Sequence, residues 1–417
     1  MNPIILIAGV PVAIGILLSP FFGLLLTVFL MPQALIQALG GTLFGIFTMA
    51  TPIKIVGGLT FLSVFVRQFL ERKKTFFFKT PPVVWFLLFL VWIFISGFSH
   101  PGSFTRENFT MFTSFGMFGF IALSLISNLK KFRAVIWVSF LAMFIVCLKA
   151  IFDFAGSEEV ARTGGTGYGP NEFAIGLLPF IGLSFYSAFS EKNGFLKFLL
   201  FVLSGLCVLA LVATFSRGGI IGLGAMGAVA VLIIARHKIR AIIVVSVLAV
   251  LFVTYLPPQV KSRFERTQVV EDYVGDEAID STTRRYNLAL AAWRMFLDNP
   301  IVGVGVGNYY WECGKYAPVH AGRAHNMYLE IMAELGIIGI FLFLGILFSF
   351  FKSIRRIIKN APELAGYAKG LALGLIGFLA AAIFLHAQQE KALWFVIFMG
   401  CALEAISKSP QAAERKV

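Results

Sequence analysis

The chain has 417 residues, of which 58% are hydrophobic and only 13% charged. That balance excludes a soluble globular domain, and no nucleic-acid partner is expected. Part of the formal net charge of +14 is topogenic, because Lys and Arg stay on the cytoplasmic side of a membrane protein. The four cysteines, Cys147, Cys207, Cys313 and Cys401, have no C-x-x-C spacing, so neither a disulfide framework nor a zinc site is expected.

In chain order, residues 3–38 come first: an apolar region broken near Pro20. It lacks a basic flank and a small-residue cleavage site, so it reads as retained in the membrane, as one broken crossing or a hairpin. Apolar runs then predict spans at 52–70, 82–99, 107–127, 133–154, 171–190, 195–213, 217–235, 239–256, 326–351, 365–385 and 390–406. The basic clusters at 71–79, 130–133, 235–240 and 352–359 and the tail from Lys408 all fall on one side, the cytoplasm by the positive-inside rule. The predicted fold is an all-α polytopic membrane protein with about 12 transmembrane helices and one long external loop. It divides into a bundle over 1–256, a loop with short helices over 257–324, C-terminal spans over 325–407 and a tail over 408–417. The abundance of Phe, 46 residues, is expected to reflect chiefly lipid-facing positions.

Several polar motifs fall at the external ends of these spans. "RTGGTGYGPNEFA" (162–174) is a Gly-rich loop feeding a helix, with Arg162 and Asn171 as candidate cavity residues. "TFSRGG" (214–219) puts Arg217 at a helix mouth before two glycines. It reads either as an anion-binding arginine or as one that snorkels at the interface. "STTRRYNLALAAWRMF" (281–296) is a helix with adjacent Arg284 and Arg285. Helix neighbours point about 100° apart, so one of the two is expected to face inward. Guanidinium forks suit phosphate oxygens, and a solvated face paired with Glu277 or Asp280 is the alternative.

"NPIVGVGVGNYY" (299–310) follows no βαβ strand, so its glycines read as a tight turn at the membrane surface rather than a dinucleotide fingerprint. "GRAHNMYLEIMAELGIIG" (322–339) places Arg323 and His325 before a membrane helix, with Asn326 as a natural N-cap. The positive end of the helix dipole favours a neutral His325, able to accept a proton. Glu330 and Glu334 share one helix face, which must look into protein or water rather than lipid. "HAQQEKALW" (386–394) is a further polar turn on the same side. No motif calls for a metal, a nucleotide or another cofactor.

In this order, "TFSRGG", then "R-x-x-x-A" with "NPIVGVGVGNY", then "H-N-x9-G-x-x-G" from His325 to Gly339, the motifs resemble those of the bacterial O-antigen ligase and polymerase superfamily. The resemblance covers the second half of the chain by motif. It implies a GT-C-type inner-membrane glycosyltransferase that acts at the periplasmic face. Such ligases move a glycan from undecaprenyl pyrophosphate to a hydroxyl of lipid A–core, with inversion and without a metal. Carried over, the resemblance makes His325, Arg217 and Arg285 catalytic, with Arg284 a close second to Arg285. The position four residues after Arg285, often aromatic in the family, is Ala289 here, which leaves the choice between the two arginines open. Arg284, Asn326, Arg323, Arg162, Asn171 and Glu330 are then candidates for contacts to the two lipid-borne substrates.

The chemistry of the residues fits that expectation. Arginines neutralise the pyrophosphate as the C1–O bond breaks, and a histidine takes the proton of the acceptor hydroxyl. Rivals with the same architecture are an O-antigen polymerase and a ligase that glycosylates protein. A transporter of an anionic solute belongs to another class; it would show inverted repeats or charges at the midplane, and neither is evident in the sequence.

Overall fold

The structure is a computed structural model that describes residues 3–32, 35, 51–71, 80–156, 169–234, 270–274 and 277–409. Arg162, the expected span 239–256 and the start of the long loop lie outside the described residues.

Helix α1 (Pro3–Leu18) and α2 (Pro20–Phe29) are separated at Ser19, close to the expected break. Proline suits the first turn of α2, where its missing N–H costs no hydrogen bond. The guanidinium of Arg67 caps the end of α1 through the carbonyls of Leu17 and Leu18. Six helices follow: α3 (Thr51–Leu70), α4 (Pro81–Ser99), α5 (Thr105–Leu125), α6 (Leu129–Ala155), α7 (Pro170–Ser190) and α8 (Gly194–Ala213). After α9 (Arg217–Ile234) comes an antiparallel hairpin of β1 (Val270–Val274) and β2 (Glu277–Asp280). It leads into α10 (Ser281–Asp298) and a short turn of helix, α11 (Tyr309–Glu312). The C-terminal part is α12 (Met327–Asn360), α13 (Ala365–Ala381) and α14 (Lys391–Ser407).

Eight of the described helices are long and apolar enough to cross a membrane, and the protein is an all-α polytopic membrane protein apart from the small hairpin. The hairpin was not foreseen, because its mixed charges mask any alternating pattern. Helix α12 runs on past the expected end at 351 to Asn360. Its "KSIRRIIK" stretch continues the helix as an amphipathic tail, with Ser353, Ile354 and Ile357 buried and Arg355 and Lys359 exposed.

The packing core is aromatic. Trp394 of α14 is fully buried among Phe86, Phe89, Phe112 and Phe115, with ring centroids 5.0–6.4 Å away. Phe65, Phe69 and Phe98 do face outward, but Phe132, Phe343, Phe350, Phe378, Phe395 and Phe398 are also fully buried. Lipid-facing positions therefore account for only part of the Phe content. Aromatic packing supplies the dispersion that the hydrophobic effect cannot provide between helices in lipid. Helices α7 and α13 cross at close range, where Gly182 faces the backbone of Gly370 and Gly374. Side chains larger than hydrogen there would push the helices apart. All four cysteines are buried thiols.

Candidate functional site

One end of the bundle gathers the loops of the second half of the chain. The N-terminus of α12 is anchored there twice. The Asn326 side chain accepts from the Tyr328 and Leu329 amides at 3.0 Å, the expected N-cap, and the Met327 amide donates to the Ala382 carbonyl at 2.9 Å. This leaves His325 just before the cap in a left-handed conformation, φ +49°. Such strain in a residue other than glycine persists only where its surroundings hold it.

The holding group is Glu330, one turn into α12 and fully buried. Its carboxylate accepts from the Ala324 amide at 3.0 Å, from Arg323 Nη1 at 3.1 Å and from Gln388 Nε2 at 2.9 Å. Arg323 also lies over the Tyr310 ring, 5.7 Å from its centroid. Glu330 is thus committed to the loop that carries His325. Glu334 is buried one turn on, facing the amides of Gly307 and Tyr309. The acidic face of α12 looks into protein, as expected of carboxylates at this depth.

The glycine-rich loop, expected as a tight turn, is docked on α12. It inserts into a break in α12 at Gly336, which has φ +64°. The Ile337 amide donates to the Pro300 carbonyl at 2.8 Å, so the Ala333 carbonyl is free to take the Val304 amide at 2.9 Å. The Glu334 carbonyl takes the Gly305 amide at 3.1 Å, and the Leu335 carbonyl takes Trp92 Nε1 at 2.8 Å. Backbone groups freed by the break are therefore re-satisfied by protein, the condition for irregular backbone at such depth. Gly303, Gly305 and Gly307 share the positive φ that this path requires.

Helix α10 packs on this region through Leu288, Ala291, Ala292 and Met295, and Tyr309 Oη donates to the Leu288 carbonyl at 2.6 Å. That brings both arginines toward His325. Burial, then Arg285, His386 and Arg284, push the His325 pKa down to about 4. The neutral imidazole was expected, but its main cause is desolvation beside cations rather than the helix dipole. Arg285 is the stronger influence, while Arg284 Nη2 also reaches the Ala321 carbonyl at 3.4 Å.

Arg217 opens α9 at the same end. Ser216, buried, caps that helix by accepting from the Gly219 amide at 3.3 Å. The Gly218 position faces Leu385 and the Ala381 carbonyl, and Gly219 faces Ala174 of α7, three residues after Asn171. Arg217 therefore borders the turn that carries His386, and Asn171 lies in the first turn of α7, which packs beside Gly219. The His386 ring stands 6.3 Å from that of His325, centroid to centroid, at 72°. In sequence, the only sign of this second imidazole was the density of polar residues in "HAQQEK". Among the described residues, no three His, Cys, Asp or Glu side chains are grouped to hold a metal ion.

Residues 199–344 match the family model described as O-antigen ligase. This span contains Arg217, both arginines of α10, the glycine-rich loop and the motif from His325 to Gly339. Over those residues the chain is similar to the O-antigen ligase family. It is also 27% identical over 261 residues to the teichuronic acid biosynthesis protein TuaE of Bacillus subtilis (strain 168). That alignment takes in 58% of this chain and 51% of TuaE, so the chain spans about half the length of that curated relative. Asn171 and His386 lie outside the matched residues.

Proposed function

We propose that the protein is an O-antigen ligase. In this reading it transfers a glycan from undecaprenyl pyrophosphate to a hydroxyl of lipid A–core, by an inverting, metal-independent, GT-C-type mechanism at the periplasmic face of the inner membrane. The observation that carries the reading is a half-buried, neutral His325 flanked by Arg285 and Arg284 at the loop end of a membrane bundle. A neutral imidazole can accept the acceptor's hydroxyl proton, and guanidinium groups can take the charge that grows on the departing pyrophosphate.

The same arginines explain how the steps are coupled. In the free protein they hold His325 at low proton affinity. An anionic pyrophosphate offsets their charge and raises the basicity of the imidazole. The base is thus strengthened when the donor is present. Arg217 completes the cationic side, with Arg284, Asn171 and Arg162 assigned to substrate contacts. Asn326, Arg323 and Glu330 act by holding the His325 loop.

A second reading, a polymerase that lengthens a lipid-linked glycan, is supported by TuaE, which is named for teichuronic acid biosynthesis. A protein acceptor and an anion transporter remain as further alternatives. Reconstitution with undecaprenyl-pyrophosphate glycan and lipid A–core, with and without a chelator, tests the choice. Core attachment that survives chelation is the expected result. Lengthening of the lipid-linked glycan without core attachment would select the polymerase, and no transfer to any acceptor would sink both.

A further inference from the structure

Among the described residues, three buried nitrogens at the loop end have no hydrogen-bond partner: Nε of Arg285, Nδ1 of His325 and Nδ1 of His386. The His325 and His386 rings stand 6.3 Å apart and Arg285 acts on His325 electrostatically, so the three groups share one space. Each such atom is costly when left unpaired. Three together mark a place kept for polar atoms of a ligand or for water. The transferase reading uses Arg285 and His325 but gives His386 no task.

The turn that carries His386 is fixed on several sides. Gln388 Nε2 donates to Glu330, Trp394 Nε1 donates to the Gln388 carbonyl at 2.9 Å, and Gln389 Nε2 donates to Asn108 Oδ1 at 2.8 Å. Leu385 rests against Gly218, next to Arg217. The charged groups that act on His325 are Arg285 and Arg284 from α10; Arg323 precedes it in the chain, Arg217 adjoins Gly218 against the His386 turn, and Glu390 and Lys391 close that turn. Glu330 reaches the turn only through Gln388 and is paired with Arg323. A proton left on His325 therefore sits among cations, with no carboxylate bonded to Nδ1 of either ring. The titratable ring that faces it is His386.

We propose that His386 is a second catalytic imidazole, which takes the proton from His325 and carries it out of the site; this rests on the glycosyl-transfer reading. The acceptor O–H bond breaks as its oxygen forms the bond to C1 of the donor sugar. The C1–O bond to pyrophosphate breaks, and its electron pair leaves with the phosphate. The proton passes to His325 and then to His386, directly or through one bound oxygen, and from there to solvent. His325 is returned to its neutral form for the next turnover.

The test uses full-length His386→Gln and His386→Ala in liposomes, with folding checked by size exclusion. Transfer should fall about 10–100-fold while the donor KM stays within about threefold. Added imidazole should restore part of the rate of His386→Ala, which a purely structural defect would not allow. A second arm measures proton uptake when inorganic pyrophosphate binds near pH 6.5, by calorimetry in two buffers of different ionisation heat. The wild type should take up protons, and His386→Gln should take up about half as many or fewer at similar affinity. A wild-type rate with unchanged uptake in His386→Gln overturns the proposal, as does a folded His386→Ala that imidazole does not rescue. If His386→Ala does not fold, the glutamine variant decides. If the wild type transfers no glycan but uptake still depends on His386, the transferase reading fails and the proton-carrying role stands.

Discussion

Glu330 accepts a hydrogen bond from Gln388 at 2.9 Å, and this bond joins the two segments that carry His325 and His386. The same carboxylate pairs with Arg323 and holds the Ala324 amide. One buried acid therefore sets the geometry of both histidines. Glu330→Ala leaves three donors without their acceptor. It should lower stability by about 2–3 kcal/mol, below the range for a fully buried pair because Arg323 is partly exposed. It should also cut transfer about 100-fold, since the imidazoles lose their register. Thermal unfolding in detergent and the transfer assay read the two effects. Gln388→Ala should cost about 1 kcal/mol, and non-additivity in the double variant would measure the link. A Glu330→Ala protein with wild-type stability would refute this account.

The break in α12 makes a second, purely structural prediction. Gly336 has φ +64°, and a Cβ there would run into the Ile301 carbonyl. Gly336→Ala should therefore destabilise by about 1–3 kcal/mol from backbone strain alone, with more from the clash. Gly339 has helical backbone, and a Cβ there would run into the Leu335 Cβ, so it carries a clash without the positive-φ strain. Gly339→Ala should cost less. Comparing melting temperatures of the two variants checks the order, and equal losses would mean that the glycine-rich loop does not require the break.

The spans were legible because bilayer thickness forces long apolar runs, and the described helices begin and end within a few residues of the expected ones except at the C-terminal end of α12. The Asn326 cap was legible because capping is local chemistry. The break at Gly336 was not, because its cause is the docking of residues 300–305, remote in sequence, onto the backbone of α12. The G-x-G-x-G pattern read as a tight turn but did not say where the loop would go. For the same reason Glu330 read as a cavity residue: nothing local says that Ala324, Arg323 and Gln388 converge on it. The site's arginines were visible as types and positions, while their relative weight on His325 needed the packing of α10.

That weight gives a third prediction. Arg285 acts on His325 more strongly than Arg284 does, and Arg284 also leans on the Ala321 carbonyl. Arg285→Ala should lower the transfer rate about 10²–10³-fold, the usual loss for one preorganised charge-stabilising group. Arg284→Ala should cost about tenfold or less and act mainly on donor KM. Arg285→Lys should not recover full activity, because a point charge does not replace a bidentate fork. Steady-state kinetics with a lipid-linked donor decide, and the reverse order of losses would move the role to Arg284.

The pKa of about 4 for His325 fixes the direction of two pH effects. Unfolded, the imidazole titrates near 6.5, so the unfolded chain binds the extra proton first as pH falls. The native state is then penalised progressively between about pH 6.5 and pH 4, by up to about 3 kcal/mol, and the penalty is absent above that window. His325→Gln removes the titrating group and should flatten this part of the stability curve. In kinetics, kcat/KM reports the free protein and should keep its acid limb near pH 4–5. The limb of kcat, which reports the donor complex, should lie higher, because bound pyrophosphate offsets Arg285 and Arg284 and strengthens the base. Two limbs at the same pH would show that the donor's charge does not reach His325. The pyrophosphate would then have to lie away from the arginines of α10.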